Sequence, residues 1–389
     1  MIVLIYAIGI YILYLHRNTK TILLVDLIIL LFNHSIMYGE YITKSIERNV
    51  GGLYNSDFGN IYDLGIVFLL IQELIRLFFS YINRNKKYEI EFNLKESTVT
   101  YFVLFFTLLY IAIFKIDRSP MDGYSVRISP MYEYSYILFI FLLCFQKKTL
   151  LFNILSYSIA LLIIAQDMIW GGRITSMQIG LVFLLINHQK YISLKRIVPY
   201  LTLAIILFSV IGSFRNVSFS EVNVLSVIRH LVESGGAIDT AFYAYWATMT
   251  QIYAALHLSI ETSLQSFYSF FLRIFSNDQV VLALGGDPKL ANVTRYSANY
   301  HVNVGGGLSL GYYFFFLRYV GVFLLTALQY HLLYGRKYKT ILSRITLICL
   351  IAACGRWYLY SPMAFYRGPF VFLPIVYLMV RISSKIKFK

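Results

Sequence analysis

The chain of 389 residues is 58% hydrophobic and only 14% charged, with a mean hydropathy of +0.65. So few charged side chains cannot form the polar coat of a soluble protein, and the composition equally excludes a disordered chain or a coiled coil. The formal net charge of +15 does not indicate a nucleic-acid partner, because the basic residues are dispersed among short loops. We therefore predict an integral membrane protein.

Apolar segments of membrane-spanning length recur along the chain. A transmembrane helix needs about 20 mostly apolar residues, and the segments are apolar on every face, unlike the alternating strands of an outer-membrane barrel. We predict an all-α polytopic membrane protein that forms a single membrane domain over residues 1–389, with about eleven transmembrane helices. The predicted spans lie near residues 1–15, 21–38, 61–82, 98–114, 132–146, 149–169, 174–188, 197–212, 308–334, 340–356 and 369–381.

The orientation follows from the loops. Lys and Arg concentrate in every second loop, which together hold 19 of the 34 basic residues. Short cytoplasmic loops retain positive charge, so this alternation predicts an external N-terminus and a cytoplasmic C-terminus. No charged region precedes the first apolar segment, so we do not expect a cleavable signal peptide.

One external loop, between residues 212 and 308, is much longer than the others. Loops of that length are usually functional or disordered. Two aromatic amphipathic stretches argue against disorder here and predict interfacial or re-entrant helices packed on the bundle within residues 213–307. Either stretch could instead belong to an added pair of spans, which would raise the count to thirteen. Their sequences are AFYAYWATMTQIYAALHL and LQSFYSFFLRIF.

Arginine dominates the basic residues of the predicted external side. Guanidinium is a planar fork that binds phosphate or carboxylate through two parallel hydrogen bonds, so the pattern suits an anionic substrate. The alternative for any single one of these arginines is snorkelling to the interface or pairing with Asp or Glu. Arg173 is the sharpest case, because Gly171 and Gly172 leave almost no loop to carry it into water. A charge held at the membrane interface is a functional candidate by default. The structural alternative is an ion pair with Asp167.

Further candidates lie in the later external segments. Arg215 directly follows the eighth span, while Arg295 and His301 share the segment before the ninth. His301 is the best-placed general base, since neutral imidazole titrates near working pH; its alternative is a capping or solvent-facing histidine. Arg356 and Arg367 flank the last external loop, whose aromatic residues suit sugar stacking or an interfacial belt.

Charged residues inside the predicted spans are few. Glu73 and Arg76 are three residues apart, so we predict that they pair on one helix face, and Asp26 has no partner that the sequence identifies. This scarcity argues against a proton-coupled transporter. No metal-binding motif, P-loop or serine-esterase elbow is present, so we expect neither a metal nor a cofactor.

Three features together resemble the bacterial O-antigen polymerases (Wzy-type), which join oligosaccharide repeat units. They are GGRITSMQIG between two spans, a long external loop before the last spans, and GGGLSLGYYFFFLRYVGVF opening the next span. The resemblance implies that Arg173 and Arg295 bind pyrophosphate, that Arg215 assists and that His301 is the base. It also makes Arg318, Arg356 and Arg367 candidate substrate-binding residues. The chain departs from the family pattern after the glycine run, where Gly311–Tyr313 offers no carboxylate.

The activity implied by this resemblance is glycosyl transfer between undecaprenyl-pyrophosphate-linked oligosaccharides, without a metal, on the external leaflet of the bacterial inner membrane. The product would be a surface polysaccharide, either O-antigen or capsule, with membrane lipid and a chain-length regulator protein as further partners. Two alternatives stay open, an O-antigen-type ligase and a polysaccharide flippase or other transporter. A transporter should have more charged faces inside its spans and pseudo-symmetric halves.

Overall fold

The computed structural model of the protein is built mainly of helices. It describes residues 1–44, 59–84, 99–114, 116–121, 124–127, 130–145, 149–169, 174–213, 259–288, 318–335, 340–359 and 366–383, together with residues 225, 245, 248, 249, 252, 256, 290 and 338. The helices are α1 (Ile2–His16), α2 (Lys20–Lys44), α3 (Gly59–Ile82), α4 (Val99–Ile113), α5 (Ser135–Phe145), α6 (Leu150–Ile169), α7 (Ile174–Asn187), α8 (Leu194–Ser213), α9 (Ile260–Phe275), α10 (Asp278–Ala283), α11 (Arg318–Tyr330), α12 (Ile341–Leu359) and α13 (Leu373–Ser383).

The helices follow the apolar segments read from the sequence, since each of the eleven predicted spans overlaps one of them. Two short π-helical turns extend α11 and precede α13, over His331–Gly335 and Gly368–Phe372. The predominantly helical fold is therefore confirmed.

By length and composition, three helical segments in the described part of the chain suffice to cross a membrane. They are Lys20–Gly39, Ile61–Ile82 and Leu150–Asp167. Six other apolar helical segments are shorter. The count of about eleven spans stays a prediction.

A β-hairpin adds a non-helical element between α4 and α5. Strands β1 (Ile116–Met121) and β2 (Tyr124–Arg127) pair antiparallel, with Ile116 opposite Arg127 and Met121 opposite Tyr124. Single-turn 3-10 helices occur at Pro130–Tyr134 and Gln189–Tyr191. The all-α prediction did not include the hairpin, which lies in a predicted external loop.

The chain forms two compact units. The first comprises Met1–Lys87, Val232–Lys337 and Cys354–Arg367, and the second comprises Tyr88–Leu231, Tyr338–Ala353 and Gly368–Lys389. In the first unit α3 packs against α1, α2 and α11. Buried aliphatic and aromatic side chains of these helices form its core, among them Ile12, Leu24, Phe68 and Val322.

The second unit is organised around α5, which packs against α4 and α7. The ten residues from Ser135 to Cys144 are all buried. A helix that is apolar on all sides belongs in the centre of its unit, which explains the even hydrophobicity of this segment. The Tyr136 hydroxyl lies 3.3 Å from the Cys349 sulfur and links α5 to α12.

The stretch LQSFYSFFLRIF forms the greater part of α9, so its predicted helical structure is confirmed. Ser259 caps the helix by accepting a hydrogen bond from the Thr262 backbone N–H at 3.2 Å. One face of α9 buries Ser263, Ser266 and Ser269. The opposite face exposes a stripe of large apolar side chains, made of Ile260, Leu264, Tyr268, Phe271 and Phe275. The other aromatic stretch, AFYAYWATMTQIYAALHL, lies mostly outside the described residues.

Candidate functional site

A cluster of charged side chains lies inside the first unit. Asp26 comes from α2, Glu73 and Arg76 from α3, and His16 from the end of α1. The first three have no exposed surface and His16 is 3% exposed. Charges so far from water must be paired and hydrogen-bonded to be tolerated. We call His16, Asp26, Glu73 and Arg76 the buried charge cluster.

Arg76 holds the two carboxylates together. Its Nη2 atom lies 2.6 Å from the Glu73 Oε2 atom, and its Nη1 atom lies 3.7 Å from the Asp26 Oδ1 atom. The sequence predicted the Glu73–Arg76 pair from the spacing of three, and the structure confirms it. The bridge from Arg76 to Asp26 joins α3 to α2 and has no counterpart in the sequence analysis.

Each carboxylate also accepts hydrogen bonds. The Tyr334 hydroxyl donates to Asp26 Oδ1 at 2.6 Å, and the Asn33 amide donates to Glu73 Oε1 at 2.5 Å. The His16 Nδ1 atom lies 2.6 Å from Asp26 Oδ2. Asp26 therefore connects α1, α2, α3 and the π-helical turn after α11 through a single side chain.

The buried charge cluster contains two carboxylates, one permanent cation and one imidazole. With His16 neutral the cluster carries a formal charge of −1, and with His16 protonated it is electrically neutral. The imidazole stacks on the Tyr334 ring, with centroids 5.7 Å apart, so it is held in place on two sides. Such a cluster can clamp the helices of the first unit together.

The sequence did not identify the partners of Asp26, because the residues that contact Asp26 are distant along the chain. His16 is 10 residues away and Tyr334 is 308 residues away. The available signal was Asp26 itself, a lone carboxylate in an apolar segment, which requires a buried partner somewhere.

A second group of polar contacts joins the end of α6 to the start of α7 in the second unit. Helix α6 ends at Ile169 and α7 begins at Ile174. Asp167 is fully buried, and its Oδ2 atom accepts hydrogen bonds from the Ser176 backbone N–H at 2.9 Å and hydroxyl at 3.1 Å. One carboxylate thus satisfies an otherwise unpaired N–H in the first turn of α7 and ties the end of α6 to the start of α7.

The same end of α6 is anchored to the 3-10 turn before α5. The buried Tyr132 hydroxyl lies 3.1 Å from the Gln166 side-chain oxygen and 3.2 Å from the Ile163 carbonyl oxygen. Asp167 and Gln166 are neighbours, so the last turn of α6 is fixed to both α7 and this 3-10 turn. The end of α6 is therefore held by the side chains of Asp167, which contacts α7, and Tyr132, which contacts the end of α6 from the 3-10 turn.

Arg367 is the predicted substrate-binding residue whose side chain the structure describes. Its Nη2 atom donates a hydrogen bond to the Ser276 carbonyl oxygen at 3.0 Å, at the C-terminal end of α9. A cation at this position also interacts favourably with the negative end of the helix dipole. Next to it, burial raises the pKa of the Tyr366 hydroxyl well above its ordinary value. Arg367 therefore has a structural contact with the end of α9, and its role in substrate binding stays a prediction.

Helix α9 is tied to the loop that follows α10. Gln265 and Tyr268 donate to the carbonyl oxygens of Gly285 and Leu284, both at 2.8 Å. Arg273 forms an ion pair with Asp278, at 3.0 Å. Gly285 has a φ of 78°, a conformation that glycine adopts without steric penalty.

The remaining predicted site residues are described incompletely or not at all. Arg318 and Arg356 lie in α11 and α12, where the structure describes their backbone but not their side chains. Four more lie outside the described residues, namely Arg173, Arg215, Arg295 and His301. Whether the arginines share one cavity stays a prediction.

No protein family model, curated protein or solved structure matches this chain. Any functional assignment therefore depends on the residues themselves and on their physical chemistry.

Proposed function

We propose that the protein is an integral membrane glycosyltransferase that polymerises lipid-linked oligosaccharide repeat units into O-antigen or capsule. It is expected to span the bacterial inner membrane about eleven times, with the N-terminus external and the C-terminus cytoplasmic. The match between the helices and the predicted spans supports this topology, and the alternation of basic loops favours the orientation.

The observation that carries the proposal is the position of Arg173 beside the first residue of α7. This residue directly precedes the first residue of α7, Ile174, in the sequence. Asp167 holds the end of α6 to the start of α7, and Gln166 holds it to the 3-10 turn before α5. The N-terminus of a helix favours anions, and an arginine beside it adds a bidentate phosphate donor. The two glycines leave room for a large head group close to the backbone. A diphosphate is the ligand that this combination suits best.

In the proposed reaction, the bond between the anomeric carbon of the growing glycan and its undecaprenyl pyrophosphate carrier breaks. A hydroxyl oxygen of the incoming lipid-linked repeat unit forms the new glycosidic bond to that carbon. The hydroxyl proton passes to a base, for which His301 is the candidate, and undecaprenyl pyrophosphate leaves.

Arginine chemistry suits this reaction without a metal. The glycosyl bond to pyrophosphate is already activated, so the enzyme must mainly stabilise the negative charge that develops on the leaving group. Arg173 and Arg295 are the candidates for that role and Arg215 for assistance. Arg318, Arg356 and Arg367 are candidates for holding the sugar and lipid portions of the two substrates.

The Arg173→Ala and Arg173→Lys variants test the assignment in cells. Both should insert normally and leave surface glycans as single repeat units, because an ammonium cannot replace the bidentate fork. Gel analysis of the glycans gives the chain length, and Arg17→Ala is the control, since Arg17 stacks over Tyr14 near the end of α1. Normal chain lengths in both Arg173 variants would refute the assignment.

An O-antigen-type ligase would use the same lipid-linked donor with a different acceptor. A deletion strain distinguishes the two activities. Loss of a polymerase leaves short chains that are still ligated, whereas loss of a ligase leaves long polymer that is not ligated.

A second candidate function is proton-coupled transport of a lipid-linked glycan, and the buried charge cluster favours it. Buried ionisable groups in and beside the spans are typical of transporters, and His16 Nδ1 lies 2.6 Å from Asp26 Oδ2. In proteoliposomes, a transporter would move glycan in response to a pH gradient and would lose that response in Asp26→Asn. A polymerase would extend chains equally with and without the gradient.

A further inference from the structure

An apolar groove lies on the second unit between α6, α7 and the start of α8. Its volume is about 620 Å³, within the range of about 300–1,000 Å³ that is usual for ligand pockets. The walls are aliphatic and aromatic. They include Leu161 from α6, Phe183 from α7, and Tyr200 and Leu201 from α8.

Gly180 forms part of the groove where α7 passes beneath it. A Cβ atom placed on Gly180 would have no neighbouring atom within 4 Å. The groove therefore reaches the backbone of α7 at this point, and a side chain added there would project into open space. An elongated apolar ligand can lie across α7 without any displacement of the protein.

One end of the groove is basic. Tyr191, which lines the groove, carries two cations near its ring: Lys190 Nζ lies 5.0 Å from the ring centroid and Arg196 Cζ lies 5.9 Å from it. Within the described part of the chain, no carboxylate pairs with either cation. His188 lines the same end and lies 3.0 Å from the Tyr157 hydroxyl.

We propose that this groove binds one acyl chain of an anionic glycerophospholipid, whose phosphate is held by Lys190 and Arg196. The argument is charge complementarity, since an apolar channel that ends at two cations without acidic partners matches a molecule with an apolar tail and an anionic head. A single acyl chain suits a groove of this volume, and its head group would reach the turn between α7 and α8.

The position favours a phospholipid over the lipid-linked substrate of the proposed function. Lys190 and Arg196 lie between the seventh and eighth predicted spans, where the sequence has the cytoplasmic charge pattern, whereas Arg173 precedes the other end of α7. Anionic phospholipids are enriched in the cytoplasmic leaflet. The site is thus separate from the proposed polymerase site by the length of one helix, and its test does not depend on enzymatic activity.

Native mass spectrometry of the full-length protein in detergent tests the proposal. Phosphatidylglycerol and phosphatidylcholine with identical acyl chains are titrated separately, and the bound fraction is compared. Phosphatidylglycerol should bind more tightly. Lys190→Ala combined with Arg196→Ala should weaken its binding by about 25-fold, or about fivefold for each cation, and bring it to the level of phosphatidylcholine.

The matched control is Arg17→Ala combined with Arg84→Ala. These arginines also stack on tyrosine rings, with Cζ 3.9 Å from Tyr14 and 4.3 Å from Tyr81, but they do not line the groove. The control should leave phosphatidylglycerol binding unchanged. An equal loss in the control would overturn the proposal, because it would reveal only a general attraction to a basic protein.

The apolar part of the site is tested at Gly180. Gly180→Phe should fill the groove and reduce the binding of both lipids, whereas Gly180→Ala should leave it open. Unchanged phosphatidylglycerol binding in either Gly180→Phe or the Lys190/Arg196 double variant would contradict the assignment. So would undecaprenyl phosphate displacing phosphatidylglycerol at a lower concentration, since the groove would then select a polyprenyl chain.

Discussion

Arg76 is the residue on which the buried charge cluster depends most. It lies between Glu73 and Asp26, at 2.6 and 3.7 Å from their carboxylate oxygens, with no exposed surface. Without this cation, two carboxylates would face each other in an apolar interior. Removal of one member of a buried ion pair is far more destabilising than replacement of both members by apolar groups.

We expect Arg76→Met to lower the free energy of unfolding by about 3–5 kcal/mol. Glu73→Leu combined with Arg76→Met should be more stable than Arg76→Met alone, because Asp26 would retain His16 and Tyr334 as partners. Thermal unfolding in detergent gives the order of stabilities. Arg84→Ala, at an exposed cation–π contact, is the control and should change little. A double variant less stable than Arg76→Met would contradict this account of the cluster.

Arg367 offers a separate test of a structural role against a substrate-binding role. Loss of its hydrogen bond to the Ser276 carbonyl should reduce the free energy of unfolding by about 1–3 kcal/mol in Arg367→Ala. The unfolding midpoint measures this effect, with Lys195→Ala at an exposed position as the control. Wild-type stability together with loss of glycan polymer would show that Arg367 serves the substrate instead.

Among individual side chains, the sequence predicts contacts between residues that are close along the chain and misses contacts between distant ones. Glu73 and Arg76 are three residues apart on one helix, so their contact follows from helical geometry alone. The contact of Asp26 with Tyr334 depends on packing between α2 and a turn 308 residues later, for which no local signal exists. The positions of Arg215, Arg295 and His301 relative to Arg173 depend on the same kind of long-range packing.

Helices α2 and α7 each contain a glycine, and the two glycines have opposite surroundings. A Cβ atom on Gly39 would overlap the Cβ and Cγ atoms of Tyr245, close to the backbone, whereas one on Gly180 would meet nothing within 4 Å. Tyr245 is itself fully buried, so it has little room to shift.

We therefore expect Gly39→Ala to destabilise the protein by about 1–3 kcal/mol through overpacking. Gly180→Ala should stabilise it by up to about 1 kcal/mol, because alanine loses less backbone entropy in a helix. Unfolding midpoints of the two variants, measured under identical conditions, should move in opposite directions. A stabilising Gly39→Ala would mean that α2 and the segment around Tyr245 are not in contact.

Helix α9 exposes an apolar stripe and buries a row of serines, which is the expected pattern for a helix that faces lipid on one side. All three cysteines of the chain are buried, so a nitroxide can be attached selectively to new cysteines. Labels at Leu264, Phe271 and Phe275 should be more accessible to oxygen, which partitions into lipid, than to a water-soluble nickel complex. The reverse preference would show that α9 faces water.

The elements themselves were predictable because apolar length and helix boundaries are local properties. Helix α7, for example, begins at Ile174, where the predicted span begins. The hairpin of β1 and β2 escaped prediction because its strands are short and β1, with the sequence IDRSPM, has no alternating apolar pattern. The apolar groove also escaped, since it arises only where three helices meet.

For the whole molecule, the separation of charge connects sequence, topology and proposed activity. Basic residues gather in alternate loops, which predicts one strongly positive side, while the basic residues of the predicted external side are mostly arginine. On this account, Lys190 and Arg196 contact anionic lipid on the inner side and Arg173 contacts the diphosphate on the outer side. The buried charge cluster then stabilises the helices of the first unit.

The central claim is that guanidinium groups at the external face drive glycosyl transfer without a metal or an energy source. The most direct measurement uses purified protein in lipid nanodiscs with lipid-linked repeat units, a chelator and no nucleotide. Wild-type protein should produce a ladder of glycans in integral repeat-unit steps, and Arg173→Ala should leave only single units. Wild-type protein that leaves the repeat units unjoined, or an Arg173→Ala variant that produces the same ladder, would contradict the account.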